Sequence, residues 1–91
     1  MNSAVANSEA VILGRAIDPE NGNLSPEAAR SILEMKLPDS DHRRLHELAA
    51  KAADASLSSE EQEELENYRH VGRLLELMKS KARLSLQNRP A

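Results

Sequence analysis

The sequence predicts an all-α protein of three to four helices, with one long helix at its C-terminal end. Three observations support this fold class. The chain contains 13 alanines and 13 leucines but only one aromatic residue, Tyr68. Its apolar side chains recur every three or four residues, as they do on one face of an amphipathic helix. Two stretches begin with residues that favour the start of a helix. Such a composition can fill only a thin helical core.

Composition also limits the class of protein. The chain has 91 residues, no cysteine and a formal net charge of -3, so it has neither a disulfide nor a thiolate metal site. No apolar run approaches the roughly 18 residues of a transmembrane helix, and residues 1–10 lack the basic start of a signal peptide. We therefore expect a cytoplasmic protein outside the membrane. We expect a single helical domain over residues 8–86, between flexible ends at 1–7 and 87–91.

Helix-start signals are clearest in the second stretch. Ser25 is a typical N-cap, and Pro26 follows at the first helical position, where a missing amide hydrogen does no harm. We expect this helix to continue to Leu37, because Pro38 disfavours helical backbone at the residue before it. The first stretch, residues 8–17, fits a helix or a strand, and we favour the helix. Its apolar face would comprise Ile12, Leu13, Ala16 and Ile17.

The third stretch, about residues 39–55, carries apolar side chains on one face and charged ones on the other. The apolar face comprises Leu45, Leu48, Ala49 and Ala52. The charged face, which we expect in solvent, comprises Arg43, Arg44, Glu47, Lys51 and Asp54. The fourth stretch begins with Ser58 and Glu61, spaced as a capping box in which each side chain satisfies a free backbone amide. We expect a long helix over about residues 59–86.

The long helix carries a continuous apolar stripe, which we interpret as the core of the fold or as a self-association surface. The stripe comprises Leu65, Tyr68, Val71, Leu75, Met78, Ala82 and Leu86. Gly72 lies at its edge, where glycine weakens a helix by about 1 kcal/mol relative to alanine. Close packing of another backbone would explain this glycine, and a tolerated surface glycine is the alternative.

Several apolar side chains of the long helix lie off this stripe. Leu77 and Leu84 are seven residues apart on nearly the opposite side of the helix, and Leu74 lies at the far edge of the stripe. We predict that these leucines, with Lys81, contact a partner protein, because exposed leucines at this spacing are typical anchors of an amphipathic helix in a groove. The alternative is that they pack against the chain's own first stretch. That stretch offers Val11, Ile12 and Ile17.

Charge along the long helix runs from acidic to basic. Acidic residues crowd residues 54–66, and basic residues crowd residues 79–91. This order complements the helix dipole, although the basic end is also the part that would contact nucleic acid. We do not expect nucleic acid to be the main partner, because the chain lacks stacking aromatic residues and offers few cations for phosphate.

Residues for catalysis or metal binding form no complete set. His42 and His46 are four residues apart and could share one metal ion, but a zinc site needs further ligands. The sequence has no glycine-rich phosphate loop and no serine in a nucleophile elbow. We therefore predict a protein that is not an enzyme and that binds no cofactor and no metal.

Three motifs give the sequence a family resemblance. They are Leu24–Arg30 (LSPEAAR), Glu64–Leu75 (ELxxYxxVGxLL) and Ser80–Leu86 (SKARLSL). Over about residues 9–86 the chain resembles a family of short uncharacterised bacterial proteins, whose members are often encoded beside a gene for a small HNH-type endonuclease. The resemblance implies an antitoxin, an immunity-like protein or an accessory partner of that nuclease. It transfers no catalytic residue.

Two functional hypotheses follow. The first is a helical protein-interaction module that binds a partner protein, in its specific form an HNH-type nuclease, and that can also form homo-oligomers. The alternative is a small dimeric nucleic-acid-binding regulator that uses the basic end after Arg73.

Overall fold

The computed structural model describes residues 7–88. These residues form four helices and no strand: α1 (Glu9–Ile17), α2 (Pro26–Leu33), α3 (Asp39–Ala53) and α4 (Ser59–Gln87). The predicted all-α fold, the helix in the first stretch and the long last helix are confirmed. The predicted flexible ends lie largely outside the described residues. No helix within residues 7–88 is long and apolar enough to cross a membrane.

Serine side chains cap the starts of three helices. Ser8 and Ser25 each accept a hydrogen bond from the backbone N–H three residues further on, at 3.3 and 3.1 Å. At the start of α4, the N–H of Ser58 donates to Glu61 Oε1 and the N–H of Glu61 donates to Ser58 Oγ, at 3.0 and 3.1 Å. The predicted cap at Ser25 and the predicted capping box are therefore confirmed.

The end of α2 corrects the sequence-based prediction. The helix ends at Leu33, so the expectation that it continues to Leu37 is wrong. The N–H of Glu34 donates to the carbonyl three residues earlier, which is a tighter turn than the α-helix makes. Pro38 therefore sets the last position at which a helix is permitted, whereas the local turn decides where the helix stops.

Contacts group the chain into two compact units. The central unit comprises residues 36–72, which include α3 and the first part of α4. The terminal unit comprises, within the described residues, 7–35 and 73–88, which include α1, α2 and the rest of α4. The sequence predicts a single domain over residues 8–86 and carries no composition shift at the borders of these units.

Small side chains form the buried part of the terminal unit. Ala29 and Ala82 are fully buried, and Ser85 is 1% exposed. Ser85 Oγ accepts a hydrogen bond from the N–H of Leu24 at 3.1 Å and donates to the carbonyl of Lys81 at 2.8 Å. The hydroxyl group thus ties the segment before α2 to α4.

The loop between α1 and α2 approaches the α4 backbone closely at Gly22. A Cβ on this glycine would lie 3.0 Å from backbone atoms of Leu84 and Ser85. A Cβ at this distance would be closer to the α4 backbone than ordinary van der Waals contact allows, and a helix backbone cannot easily shift away. Position 22 therefore favours glycine, which has no Cβ.

In the central unit, α3 and α4 contact through two buried leucines and a set of ion pairs. Leu48 is fully buried and Leu65 is 4% exposed. The Arg44 guanidinium binds both carboxylate oxygens of Glu64, with Nε and Nη2 at 2.9 and 2.8 Å. Lys51 Nζ donates to Glu61 Oε2. The Arg44–Glu64 pair is the stronger of the two, because it is bidentate and makes two charge-assisted hydrogen bonds.

These contacts correct the predicted faces of α3. Arg44 and Lys51 reach α4, so the expectation that they lie on a solvated face is wrong. On the predicted apolar face Leu48 is buried, but Ala49 and Ala52 are exposed. The long cationic side chains can span a gap between helices that alanine is too short to fill.

Candidate interaction surfaces

The central unit has an open apolar groove, which we call the central groove. Its lining residues are Leu37, Asp41, Glu64, Asn67, Tyr68 and Val71. The groove has a volume of about 330 Å³, and its surface is mostly apolar. Val71 is 42% exposed, which is unusual for a large aliphatic residue on a predicted buried stripe. The groove therefore presents an uncovered apolar surface.

A tyrosine and a carboxylate form the polar part of this groove. The Tyr68 hydroxyl donates to Asp41 Oδ1 at 2.7 Å. This hydrogen bond to a carboxylate raises the pKa of Tyr68, because deprotonation would remove the donor and set two negative charges together. The bond holds the Tyr68 hydroxyl against Asp41, and both residues line the groove.

Arg44 and Glu64 form the second polar pair of the groove region. The hydrogen bond from Arg44 lowers the pKa of Glu64, and the same bond raises the pKa of Arg44. Neither charge is free, so this pair has a structural role.

Unpaired acidic side chains lie close to the groove residues in the sequence of α4. Glu60 and Glu63 are exposed, and neither takes part in an ion pair within residues 7–88. Glu66, by contrast, pairs with Arg69 at 2.9 Å. The first part of α4 therefore presents negative charge that other described residues do not neutralise.

The predicted apolar stripe of α4 is only partly buried. Leu65 and Ala82 are buried, and Val71 is exposed. The other stripe residues are half-buried: Tyr68, Leu75, Met78 and Leu86. The interpretation of the stripe as the core is therefore wrong at Val71, and its interpretation as a self-association surface stays a prediction. The close packing proposed for Gly72 is also wrong, because no atom lies within 4 Å of a Cβ placed there.

The residues predicted to bind a partner are half-buried in the terminal unit: Leu74, Leu77, Lys81 and Leu84. A Cβ on Gly14 would lie 3.5 Å from Leu77 Cδ1, and a Cβ on Gly22 would lie 3.0 Å from Leu84 Cγ. Lys81 Nζ donates to the carbonyl of Asp18 at 3.3 Å. The position of Leu77 supports the alternative in which the leucines pack against the chain's own first stretch, although the contact is with Gly14 and not with Val11 or Ile12. Leu84 and Lys81 contact the loop that follows α1.

The first helix packs through Ala10, Gly14 and Ile17 and leaves three large apolar residues outside. None of its residues is buried. Val11, Ile12 and Leu13 are 41%, 49% and 48% exposed. The predicted apolar face is therefore wrong at Ile12, Leu13 and Ala16 and correct only at Ile17, because Gly14 permits a close approach to α4 on the other side of the helix.

The two histidines singled out in α3 are exposed. His42 and His46 both lie on the surface. Within residues 7–88, no group of three or more histidine or acidic side chains is arranged to hold a metal ion. The prediction that the protein works without a metal stays a prediction.

Two structural residues were missed by sequence reasoning. Ser85 follows Ala82 at the three-residue spacing of the stripe, so its position gave a signal of burial, but its polarity suggested a surface residue. Arg44 gave no signal, because its partner Glu64 lies 20 positions away.

Comparisons of this chain with protein-family models, with curated proteins and with solved structures find no match. They neither support nor contradict the family resemblance of the three motifs. The function is therefore inferred from the surfaces of the two units.

Proposed function

We propose that the protein is a non-catalytic interaction module that binds a basic partner protein through the central groove and the acidic side chains of α4. The supporting observation is the exposed apolar surface around Val71 in the groove. An uncovered apolar patch beside polar residues is typical of a protein–protein contact, because burying it on binding releases ordered water.

The charge of the surface indicates the chemistry of the partner. Glu60 and Glu63 offer unpaired negative charge on α4. A nuclease must attract a polyanion and therefore carries a basic surface around its substrate site. An acidic partner complements such a surface and competes with nucleic acid for it. We therefore propose an HNH-type nuclease as the partner, with this chain as its antitoxin, immunity-like protein or accessory subunit.

The titratable groups with shifted pKa values support a non-catalytic role. They are Arg44, Glu61, Glu64 and Tyr68, and each is hydrogen-bonded to another protein group. A general acid or base has to be free to exchange a proton with a substrate. In this protein the pKa shifts arise from hydrogen bonds that join α3 to α4, and not from a free group in a substrate site.

The partner surface proposed here differs from the one expected from the sequence. Leu77 and Leu84 already contact the terminal unit's own residues, whereas Val71 has no comparable cover. The groove is therefore the better anchor site for a partner side chain.

The test is the affinity of the purified protein for a purified HNH-type nuclease from the same genome, measured by titration calorimetry. Val71→Ser should weaken binding at least about tenfold, as expected for an apolar anchor at the centre of an interface. Val11→Ser is the matched control, because Val11 is 41% and Val71 42% exposed, and it should change the affinity less than about twofold.

Two results would contradict the proposal. One is an absence of binding to the nuclease, and the other is equal loss of affinity in the two valine variants. Tight binding of DNA with a steep salt dependence would instead favour the regulator that uses the basic end of α4.

A further inference from the structure

The loop between α1 and α2 contains an asparagine followed directly by a glycine. Asn21 is exposed, and Gly22 is half-buried. When an asparagine precedes a glycine, the backbone nitrogen of the glycine can attack the carbonyl carbon of the asparagine side chain and close a five-membered ring. Glycine offers the least hindered nitrogen for this attack, because it has no side chain and its backbone is the most adaptable. The loop therefore contains a pair of residues that is open to this reaction.

The hydrogen bonds of the loop leave the attacking nitrogen free. Within residues 7–88, the N–H of Gly22 donates to no backbone or side-chain acceptor. The N–H of Asn21 donates to the carbonyl of Asp18 at 3.1 Å, and the N–H of Asn23 donates to the carbonyl of Asn21 at 2.9 Å. The first bond closes a ring that ends at the nitrogen of Asn21, and the second closes a ring that begins at its carbonyl. The backbone torsions of Asn21 lie outside both rings, so this residue can turn toward the Gly22 nitrogen without breaking either bond.

A second asparagine in the same loop provides a natural comparison. Asn23 is exposed like Asn21, but the residue after it, Leu24, is half-buried. The N–H of Leu24 donates to Ser85 Oγ at 3.1 Å, and Ser85 is 1% exposed. Attack by the Leu24 nitrogen would break this shielded hydrogen bond, and the leucine side chain hinders ring closure. The fold therefore protects one asparagine of the loop and leaves the other open to attack.

We propose that Asn21 is a modification site at which the chain reacts with itself and loses ammonia. A hydroxide ion removes the proton from the Gly22 nitrogen, and this nitrogen forms a bond to the side-chain carbonyl carbon of Asn21. The bond from that carbon to the amide nitrogen then breaks, and the amide nitrogen takes up a proton from water and leaves as ammonia. The product is a succinimide ring between the two residues.

Water then opens the ring in one of two ways. If it attacks the former side-chain carbonyl, the main chain is unchanged and position 21 carries an aspartate. If it attacks the former backbone carbonyl, the main chain passes through the side chain, and position 21 carries an isoaspartate. In both cases one amide and one water give one carboxylate and one ammonia, so the reaction needs no oxidant, reductant or partner protein.

The isoaspartate form changes a tight contact of the fold. It lengthens the main chain by one carbon directly before Gly22, and a Cβ on Gly22 would already lie 3.0 Å from backbone atoms of Leu84 and Ser85. A longer chain at this point displaces Gly22 from α4 and pulls on the hydrogen bond from Leu24 to Ser85. The aspartate form keeps the original main chain and should leave both contacts in place. Modification at Asn21 therefore loosens the terminal unit through its isoaspartate product.

Peptide mapping of aged protein tests the site. Trypsin releases residues 16–30, which contain both asparagines, and tandem mass spectrometry follows the mass gain of each one after incubation at mildly alkaline pH. Asn21 should convert at least about tenfold faster than Asn23, since the Leu24 nitrogen is hydrogen-bonded and hindered. Isoaspartyl methyltransferase should label this peptide from aged wild-type protein but not from Asn21→Gln. That variant is the matched control, because glutamine has the same amide group but would have to close a larger ring, which forms more slowly.

A synthetic peptide of residues 16–30 separates the effect of the fold from that of the sequence. In the peptide Ser85 is absent, so the ratio of the two rates reflects only the difference between glycine and leucine. In the folded protein this ratio should be about tenfold larger, because the hydrogen bond to Ser85 slows the reaction of Asn23 alone. Ser85→Ala, which removes the acceptor, should bring the ratio back toward that of the peptide.

Thermal melts test the effect on the terminal unit. Ion exchange separates the aged protein from the unmodified form, because both products carry an added negative charge. The aged form should melt about 5 °C below the unmodified protein. Asn21→Asp supplies the aspartate product alone and should melt within about 2 °C of the unmodified protein.

Three results would overturn the proposal. The first is conversion of Asn21 no faster than that of Asn23 in the folded protein. The second is a ratio of the two rates that is the same in the protein and in the peptide. The third is an aged form with the melting temperature of Asn21→Asp, which would show that the loop accommodates isoaspartate without moving away from α4.

Discussion

In the central unit charged side chains join α3 to α4, whereas the buried residues of the terminal unit are alanine and serine. Arg44 and Lys51 each bind a glutamate of α4 in the first case. In the second, Ser85 binds the N–H of Leu24, and Gly22 lies against the α4 backbone. Long charged side chains can reach across between helices, whereas small residues allow two backbones to approach closely.

This difference means that the two units should respond to different perturbations. Ion pairs between partly exposed groups depend on pH and salt and tolerate small displacements. Close packing of small residues hardly depends on pH, but it does not accept an added methyl group without a shift of the backbone. In the terminal unit, substitutions that change side-chain volume should therefore affect stability most. In the central unit, substitutions that remove a charge should affect it most.

The largest effect should come from Leu77→Ser combined with Leu84→Ser. Both leucines are half-buried in the terminal unit, so the double change should lower the free energy of unfolding by about 3 to 5 kcal/mol. Thermal melts followed by circular dichroism measure this loss. Leu13→Ser is the control: Leu13 is 48% exposed, and its change should stay within about 0.5 kcal/mol. If the double variant has the melting temperature of the wild type, the result would support the prediction that these leucines contact a partner protein.

Two glycines should respond to alanine with opposite signs. Gly22→Ala places a Cβ 3.0 Å from the α4 backbone and should destabilise the protein by about 1 to 3 kcal/mol. Gly72→Ala meets no atom within 4 Å and should stabilise α4 by about 1 kcal/mol. Urea denaturation measures both values. Stabilisation by Gly22→Ala would mean that the loop before α2 does not lie against α4, and destabilisation by Gly72→Ala would mean that this position is packed.

Low pH should lower the stability of the central unit by a smaller amount than these substitutions do. The hydrogen bond from Lys51, helped by the N–H of Ser58, lowers the pKa of Glu61 from its ordinary 4.5 to about 2, and Arg44 lowers the pKa of Glu64. A lowered carboxylate pKa contributes stability above pH 4.5, and this contribution is lost as the pH falls through the folded-state value. The melting temperature should therefore fall between pH 4.5 and about 2.

A matched pair of variants separates this effect from general acid denaturation. Glu64→Gln should lower the melting temperature at neutral pH and reduce its dependence on acid, because it weakens the bond to Arg44. Glu63→Gln removes the same charge from an exposed residue without an ion pair in residues 7–88. If the two variants have the same pH profile, the ion pairs do not stabilise the central unit.

The smallest effect should be a gain at the end of α3. Ala55 has a left-handed φ of 55°, and the N–H of Ser56 donates to the carbonyl of Lys51 at 2.9 Å, which is the pattern of a Schellman cap. Glycine adopts this backbone without strain, so Ala55→Gly should stabilise the protein by about 0.5 kcal/mol. Ala50→Gly, inside α3, should instead destabilise it by about 1 kcal/mol. Chemical denaturation measures the change in the free energy of unfolding of each variant. Opposite signs would show that the effect of glycine depends on the φ angle of the position it occupies.

Local features of the fold could be predicted from the sequence because they depend on neighbouring residues. A capping box joins Ser58 to Glu61, three positions away, and both hydrogen bonds form as expected. The all-α class and the long α4 follow from the repeat of apolar residues in the same way. The end of α2 is also decided locally, by the turn at Glu34, although the sequence predicted it at Leu37 and not at Leu33.

The tertiary structure decided which face of each helix is buried, and with it the candidate surfaces. Val71 belongs to the same stripe as Leu65, yet one is exposed and the other buried. Periodicity shows that residues share a face, but burial also requires a neighbour to cover that face. Such neighbours are distant in the chain: Leu24 and Ser85 are 61 positions apart. The sequence by itself therefore determined the helices and their starts, and only the packing of distant segments left the outer side of α1 and the central groove uncovered.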